Sequence, residues 1–262
     1  MCGIAGYSLG RTSTVDRTRA AQALLAAIAE RGADAVGYAH RSPGAPIVVH
    51  KQRSGASAVL DRIEIPADAH QALLHVRDYT KGHPRIEANN HPVRHGAVVG
   101  IHNGHIDNDD ELMARYGFER QEADMSVDSE VIFAVAEANG GTAHGFEEFR
   151  GSLAGAWLDE REPELLYLAR GVGRPLWVGT TRRELFFAST RAALEVAERY
   201  TGLKLRKREV HEGKLAAIKG ARAVRVENFL PDPTYEPDPL PAVRAPHEGA
   251  FCLERLAVIA AA

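Results

Sequence analysis

The chain has 262 residues, of which 45% are hydrophobic and 26% are charged, and its formal net charge is −3. This composition is typical of a globular protein with a substantial core, and the well-mixed charges give no basic face for nucleic acid. No run of about 18 apolar residues indicates a membrane span, and no secretory signal pattern is visible, so we expect a cytoplasmic protein.

The first half of the chain is predicted to alternate short strands with helices. A β-favouring segment over 3–9 ends at the turn Gly10-Arg11, and apolar residues recur at helical spacing over 15–31 before Gly32. Further strands are predicted over 35–40, 46–51, 72–77 and 97–102. Helices are predicted over 109–115 and 126–139.

The second half of the chain repeats this alternation. Strands are predicted over 154–159, 165–170, 176–179, 184–188, 214–219 and 223–227, with a helix over 191–200. Strands in two blocks with interspersed helices predict two sheets covered by helices in one compact domain.

Composition changes after Asn228. Six of the thirteen prolines lie between Pro231 and Pro246, interleaved with acidic residues, which predicts an extended, polyproline-like segment without a core of its own. The segment ends in apolar residues over 251–253 and 256–259. They are suited to dock either on the chain's own domain or on a partner.

Cys2 directly follows Met1 and is one of only two cysteines, the other being Cys252. If Met1 is removed, Cys2 carries both a thiol nucleophile and a free α-amine, whose usual pKa of about 7.7–8.0 suits a general base. A small second residue also simply permits removal of methionine. The histidines and cysteines show no zinc spacing, so we expect neither a metal nor a cofactor.

Three internal clusters supply groups that an N-terminal cysteine would need. Arg77 is predicted at the end of a strand, where it can hold a carboxylate bidentately or pair with a neighbouring acid. Asn103-Gly104 offers an amide donor and a glycine N–H, as an oxyanion hole requires, but Asn-Gly is also common in tight turns. Asp128, in the first predicted turn of a helix, can bind an ammonium group or complement the helix dipole.

The order of six motifs resembles the class II glutamine amidotransferase domain, an N-terminal-nucleophile hydrolase. The motifs are Cys2-Gly3-Ile4, Arg31-Gly32-x-Asp34, His75-x-Arg77-x-x-Thr80-x-Gly82, Asn90-His91-Pro92, His102-Asn103-Gly104 and Asp128-x-Glu130-Val131-Ile132. The resemblance continues more weakly to Gly213. It implies an α+β fold, the αββα sandwich of two mainly antiparallel sheets between helical layers. We expect this glutaminase domain over 2–227 and a Pro-rich, acidic C-terminal tail over 228–262.

The resemblance also implies a role for each matching residue. L-Glutamine would place its α-carboxylate on Arg77 and the loop containing Thr80, and its α-ammonium near Asp128. Cys2 would attack the side-chain amide, and Asn103 and Gly104 would hold the oxyanion. Arg31 would support the nucleophile, whereas His75 and His102 are interpreted as packing or hydrogen-bonding neighbours.

The departures from the family bear on what happens to the ammonia. Asp78 stands where the sugar-phosphate enzymes carry an aromatic residue after the arginine, and nothing after Glu227 resembles an ammonia-using domain. We therefore predict a glutaminase that passes ammonia to a separate synthase or ligase. The alternatives are an amidohydrolase of a γ-glutamyl conjugate and a catalytically silent glutamine-binding module.

Overall fold

A computed structural model of the chain, which describes residues 2–237 and 242–261, folds thirteen strands into two antiparallel sheets. The strands are β1 (Gly3–Leu9), β2 (Ala35–Arg41), β3 (Val48–Gln52), β4 (Gln71–Arg77), β5 (Val93–His95), β6 (Val98–Ile106), β7 (Gly151–Asp159), β8 (Leu165–Arg170), β9 (Trp177–Thr180), β10 (Glu184–Ala188), β11 (Arg206–Glu209), β12 (Lys214–Lys219) and β13 (Arg222–Asn228). The first sheet has the order β11-β9-β10-β1-β4-β2-β3, and the second has the order β13-β12-β8-β7-β6-β5.

Helices cover the outer face of each sheet. They are α1 (Arg17–Ile28), α2 (Asp109–Tyr116), α3 (Glu130–Ala138), α4 (Arg191–Thr201) and α5 (Pro246–Ala261). Helices α1, α4 and α5 share a core with the first sheet, and α2 and α3 share one with the second. A third apolar layer joins the sheets, where Ile4 and Phe187 of the first belong to one cluster with Ile101 and Leu168 of the second. This confirms the predicted αββα sandwich.

Strand β1 carries Cys2 to its place, because Cys2 directly precedes a strand that is buried along its whole length. It lies between β10 and β4 in the first sheet. A Cβ on Gly6 would lie 2.1 Å from the carbonyl oxygen of Ala72, so only glycine allows this close strand packing. The N–H of Ile4 also donates to Ser189 Oγ at 2.9 Å. The segment that holds Cys2 is therefore fixed in the core.

The structure differs from the predicted elements at several boundaries. Strand β6 continues through Asn103-Gly104 to Ile106, so the tight turn allowed for that dipeptide does not form. Helix α3 begins at Glu130, so Asp128 precedes the helix instead of lying in its first turn. Strands β5 and β11 were missed. Strand β5 has three residues, and β11 has the charged sequence RKRE, which lacks an apolar alternation.

The C-terminal segment contains a helix that the sequence analysis did not predict, directly after the Pro-rich stretch expected to be extended. Residues 246–261 form helix α5, in which Cys252 and Leu256 are buried in the core shared by α1 and the first sheet. Of the Pro-rich stretch, residues 238–241 lie outside the described residues. The domain boundary at 227/228 stays a prediction.

Among the described residues, no helix is both long and apolar enough to cross a membrane.

Candidate active site

Cys2 is half-buried at the entrance to β1, with its backbone and side chain both engaged. Its carbonyl oxygen accepts a hydrogen bond from Arg31 Nε at 3.0 Å. Its thiol donates to the carbonyl oxygen of Asp78 at 3.5 Å. Burial raises the pKa of the thiol, although the nearby charge of Arg77 acts in the opposite direction. The thiol thus needs a base to become a nucleophile.

The turn after α1 brings Arg31 beneath Cys2. A Cβ on Gly32 would lie 2.4 Å from backbone atoms of Arg77, so glycine permits this turn to pack against the end of β4. Asp34 extends the same contact, since its carboxylate accepts from the N–H of Tyr79 at 2.9 Å. Arg31 itself is buried, and its Nη2 has no hydrogen-bond partner. The predicted supporting residue therefore contacts the nucleophile's backbone.

Arg77, the last residue of β4, organises the loop that follows it. Its guanidinium donates to Asn90 Oδ1 at 2.6 Å, to the carbonyl oxygen of Lys81 at 2.8 Å and to that of Gly82 at 2.5 Å. Burial lowers the pKa of Arg77, while the charges of Cys2 and Asp128 raise it. Three of the five guanidinium N–H groups are bound in this way, which leaves the remaining donors for a ligand.

Asp128 lies buried just before α3, within the electrostatic reach of Arg77. Its Oδ2 accepts the N–H of Ile106 at 2.8 Å and lies 3.6 Å from His105 Nδ1. One carboxylate oxygen is thus anchored to the end of β6. The arrangement provides a fixed negative charge close to the carboxylate-binding arginine, as an amino acid's zwitterionic end requires.

Asn103 and Gly104 lie near the end of β6, in positions that the strand itself determines. The Asn103 side chain is fully buried, yet neither its Oδ1 nor its Nδ2 has a hydrogen-bond partner. Gly104 has φ +150°, and a Cβ there would lie 2.0 Å from the Ser152 carbonyl oxygen and 2.5 Å from His102 Nε2. An unpartnered buried amide costs free energy, so such a group in a native structure calls for a ligand or a catalytic role.

Three buried histidines surround the site. The pKa of His75 falls to about 3 and that of His102 to about 4, chiefly because burial disfavours the charged ring, and the pKa of His91 is also lowered. His75 Nε2 lies 3.1 Å from the His102 carbonyl oxygen, and His102 Nδ1 lies 2.9 Å from Ser129 Oγ. The contacts of His75 and His102 are those of neutral, hydrogen-bonded neighbours, whereas His91 has no hydrogen-bond partner among the described residues and stacks on His75 with the ring centroids 4.1 Å apart. No group of three or more His, Cys, Asp or Glu side chains within 2–237 and 242–261 is placed to hold a metal ion.

Two cavities meet at Cys2. A narrow one, of about 10 Å³, is bordered by Arg77 and Asp128. A wide cleft, of about 770 Å³, is bordered by Asn103 and by residues from β7 and the C-terminal segment. Cys2, Asp78, Thr80 and Gly104 border both. The structure thus brings together all the predicted substrate-binding and catalytic residues, with Arg31 directly behind Cys2.

The sequence analysis missed three residues near this site. Arg174 borders the wide cleft. The only indication of this in the sequence was that Arg174 lies in Arg170-x-x-x-x-Pro175-Leu176, within the part of the chain where the family resemblance is weak. Tyr235 borders the cleft from the Pro-rich segment and had no signal at all. Arg244 Nε lies 3.1 Å from Asp78 Oδ2. Asp78, which departs from the family resemblance, therefore forms an ion pair with the C-terminal segment.

A family model described as "Glutamine amidotransferase domain" matches residues 81–196. Among curated proteins, the chain is 30% identical over 207 residues to glutamine–fructose-6-phosphate aminotransferase (isomerizing) of Bradyrhizobium diazoefficiens. It is 32% identical over 204 residues to the enzyme of the same name from Caulobacter vibrioides. Each match covers 74% of this chain and 32% of the relative. The chain therefore spans about a third of the length of these relatives.

Solved structures with the same fold include the glutamine phosphoribosylpyrophosphate amidotransferase from B. subtilis, with a TM-score of 0.66 and 20% identity. That match covers 87% of this chain and 49% of the other. A glutamine aminotransferase class-II domain protein from Silicibacter pomeroyi matches with a TM-score of 0.50 and 18% identity, over 88% of this chain and all of the other. At these identities the likeness concerns the fold. Taken with the sequence matches, it identifies this chain as containing a class II glutamine amidotransferase domain.

Proposed function

We propose that the chain hydrolyses L-glutamine to glutamate and ammonia through a γ-glutamyl thioester on Cys2. The observation that carries this proposal is the position of Cys2 between two differently built cavities. On one side are a buried arginine and a buried carboxylate, and on the other is an unpartnered asparagine amide. An amino acid with a side-chain amide matches both sides at once.

The narrow side supports binding of the zwitterionic end. The α-carboxylate takes the remaining donors of Arg77 and contacts the loop at Thr80, and the α-ammonium takes the free oxygen of Asp128. The narrow cavity, at about 10 Å³, holds little more than one water molecule. The narrow cavity adjoins the wide cleft at Cys2, Thr80 and Gly104, so glutamine can extend from one into the other, with the exposed side chains of Tyr79 and Thr80 beside it.

The wide side supports the chemistry. Cys2 Sγ attacks the amide carbon, and the α-amine of processed Cys2 takes the thiol proton and delivers it to the departing nitrogen. The amide of Asn103 and the N–H of Gly104 stabilise the oxyanion. The C–N bond breaks, ammonia leaves, and water then cleaves the thioester to release glutamate.

The fate of the ammonia is proposed from the names of the sequence relatives. Both are named as aminotransferases of fructose 6-phosphate, so in them the nitrogen of glutamine goes to an acceptor. By analogy, we infer that a separate synthase or ligase receives the ammonia released at Cys2.

The proposal is tested with protein whose intact mass shows that Met1 has been removed. This protein should release ammonia from L-glutamine, and Cys2→Ala should lower the rate by more than about 10⁴-fold. Cys252→Ala is the matched control, because Cys252 is buried in the helical core away from the cleft. Mass spectrometry should locate a glutamine-analogue diazoketone on Cys2 alone. No ammonia release and no labelling by processed protein would contradict the proposal and favour a silent glutamine-binding module.

The same preparation tests the α-amine as base. Protein that retains Met1 has no free amine on Cys2, so it should be inactive until an aminopeptidase removes the methionine. Equal rates before and after this treatment would exclude the amine from the mechanism.

A further inference from the structure

The wide cleft beside Cys2 is much larger than the ammonia that leaves from glutamine. Its volume is about 770 Å³, in the range of pockets that bind small organic molecules. It borders Cys2 but neither Arg77 nor Asp128, the residues proposed to hold the α-amino and α-carboxylate groups, so the scissile nitrogen at the other end of the substrate can face it. The cleft therefore has room for a substituent on the scissile nitrogen.

Arg174 is the group in this cleft with unused binding capacity. It is only 9% exposed, and its Nη1 donates to the carbonyl oxygen of Gly173 at 3.1 Å and to Tyr235 Oη at 3.3 Å. Its buried Nε has no partner. Within the described residues no carboxylate lies at ion-pair distance from Arg174. A buried guanidinium in this state is costly unless an anion completes it.

A second buried arginine adds to the positive potential. Arg31 also has an unpartnered Nη2. Burial lowers the pKa of Arg31, and the charge of Arg174 lowers it further. The two guanidiniums therefore lie close enough to repel each other beside Cys2. A negative charge bound between the cleft wall and the nucleophile would relieve this repulsion.

None of the described acidic residues that border the cleft forms an ion pair with Arg174. Asp78 pairs with Arg244 at 3.1 Å, and Asp107 lies 3.0 Å from His105 Nε2. Asp232 accepts hydrogen bonds from the N–H of Gly151 at 2.8 Å and from the N–H and hydroxyl of Thr234 at 2.9 and 2.7 Å. Glu236 is exposed at the rim. The charge of Arg174 is therefore left for an anionic group of a ligand.

We propose that this cleft binds the amine half of a γ-glutamyl amide, with a carboxylate of that amine on Arg174. The inference rests on the proposed Cys2 chemistry and names its substrate class. Cys2 Sγ bonds to the γ-carbon as the C–N bond breaks, and the α-amine passes the thiol proton to the departing nitrogen, which leaves as a free amino acid. Water then attacks the thioester, so the C–S bond breaks and glutamate forms.

The test compares substrates that differ only in charge. γ-Glutamyl conjugates of glycine, β-alanine and 4-aminobutyrate are each paired with the same compound whose distal carboxylate is an amide. For the chain length that reaches Arg174, the wild-type protein should cleave the acid with a kcat/KM about 10–100-fold higher than the amide, as a charge-assisted arginine contact provides. Equal rates for acid and amide in all three pairs would overturn the proposal.

Two substitutions of Arg174 test whether this residue causes the preference for the acid over the amide. Arg174→Gln should remove the preference, so that the acid and the amide of a pair are cleaved with the same kcat/KM, while Arg174→Lys should keep part of it. Arg170→Gln is the matched control, because Arg170 also has a buried, unpartnered Nε but pairs with Glu209 outside the cleft. It should keep the full preference.

The remaining outcomes are distinct. If Arg174→Gln lowers the rates for acid, amide and glutamine equally, Arg174 supports Cys2 and not the ligand, and the proposal is wrong. If Arg174→Gln does not fold, the wild-type comparison of acid with amide decides alone. Release of no amine and no ammonia by the wild-type protein would instead remove the proposed function itself.

Discussion

The narrow cavity and the wide cleft on the two sides of Cys2 differ in size and in how their polar groups are bound. On the side of Arg77 and Asp128, the guanidinium and the carboxylate are each held by protein partners, and the space is about 10 Å³. On the side of Asn103 and Arg174, buried polar atoms stand without partners, and the space is about 770 Å³. The first side is organised by contacts within the protein, whereas the second is left incomplete.

This difference indicates where binding and where chemistry occur. Groups that are already satisfied by the protein change little when a ligand binds, so they are suited to hold the constant part of a substrate. Buried donors without partners contribute most when a charge arrives or develops beside them. We therefore expect substitutions on the narrow side to raise KM and substitutions on the wide side to lower kcat.

Asn103→Ala should give the largest effect of these substitutions. We expect kcat for glutamine to fall by about 10²–10³-fold with little change in KM. The reason is that the Asn103 side chain stabilises the oxyanion of the transition state and contributes little to binding of the uncharged glutamine amide. Because the buried amide has no partner, its removal should leave the thermal unfolding midpoint unchanged or higher. Steady-state ammonia release and calorimetry measure the two quantities.

Asn139→Ala is the control for that substitution, since Asn139 Oδ1 accepts from the N–H of Gly141 at 3.0 Å, in a turn that does not border either cavity. If Asn103→Ala instead raised KM and left kcat unchanged, the assignment of binding to the narrow side and chemistry to the wide side would be reversed.

His102 borders both Gly104 and the narrow cavity, and its neutral ring couples stability to pH. Burial lowers its pKa to about 4 from 6.5, so the unfolded chain binds more protons than the folded protein between these values. The contribution of His102 to the free energy of unfolding should therefore be complete above pH 6.5. It should fall as the pH decreases towards 4, by on the order of 3 kcal/mol. Urea denaturation at pH 7, 6, 5 and 4.5 measures the slope.

The slope should be smaller in His102→Asn and unchanged in His144→Asn, since His144 is exposed. A pH dependence that is identical in all three proteins would show that His102 is not the group responsible.

Arg77→Lys tests the narrow side. A lysine keeps the charge but cannot bind Asn90, Lys81 and Gly82 and a carboxylate together, so KM for glutamine should rise by about 10–100-fold while kcat falls less. Arg94→Lys, at an exposed pair with Glu160 at 3.0 Å, makes the same change away from the site and should leave KM unaltered. A kcat effect as large as the KM effect would contradict a role limited to binding.

Sequence reasoning found the residues next to Cys2 more completely than the far wall of the wide cleft. Arg77, Asp128, Asn103 and Gly104 stand in short motifs whose order could be recognised. Arg174 lies in the loop between β8 and β9 and Tyr235 in the C-terminal segment, so only the folded chain brings them to the cleft that Cys2 borders. Helix α5 was missed because the proline-rich composition over 231–246 dominated the interpretation. Its apolar residues also do not form one buried face, since Phe251, Leu253 and Val258 are exposed while Cys252 and Leu256 are buried.

Arg244 links the C-terminal segment to the narrow side, and its substitution should have the smallest effect. Its Nε lies 3.1 Å from Asp78 Oδ2, and its backbone N–H donates at 2.9 Å to the carbonyl oxygen of Glu30, the residue before Arg31. One residue thus contacts the segments on both sides of Cys2. Arg244→Gln removes only the ion pair, which is partly exposed, so the loop should be held less firmly by up to about 1 kcal/mol.

We expect KM for glutamine to rise by about two- to fivefold in Arg244→Gln, with kcat unchanged, because the loop that binds the carboxylate becomes less ordered before binding. Arg255→Gln is matched to it, since Arg255 of helix α5, in the same C-terminal segment, pairs with Asp61 at 2.7 Å and neither residue borders the cleft. Both variants loosen the tail, and only the first should change KM. Equal KM values in the two variants would mean that the Arg244–Asp78 ion pair does not connect the C-terminal segment to substrate binding.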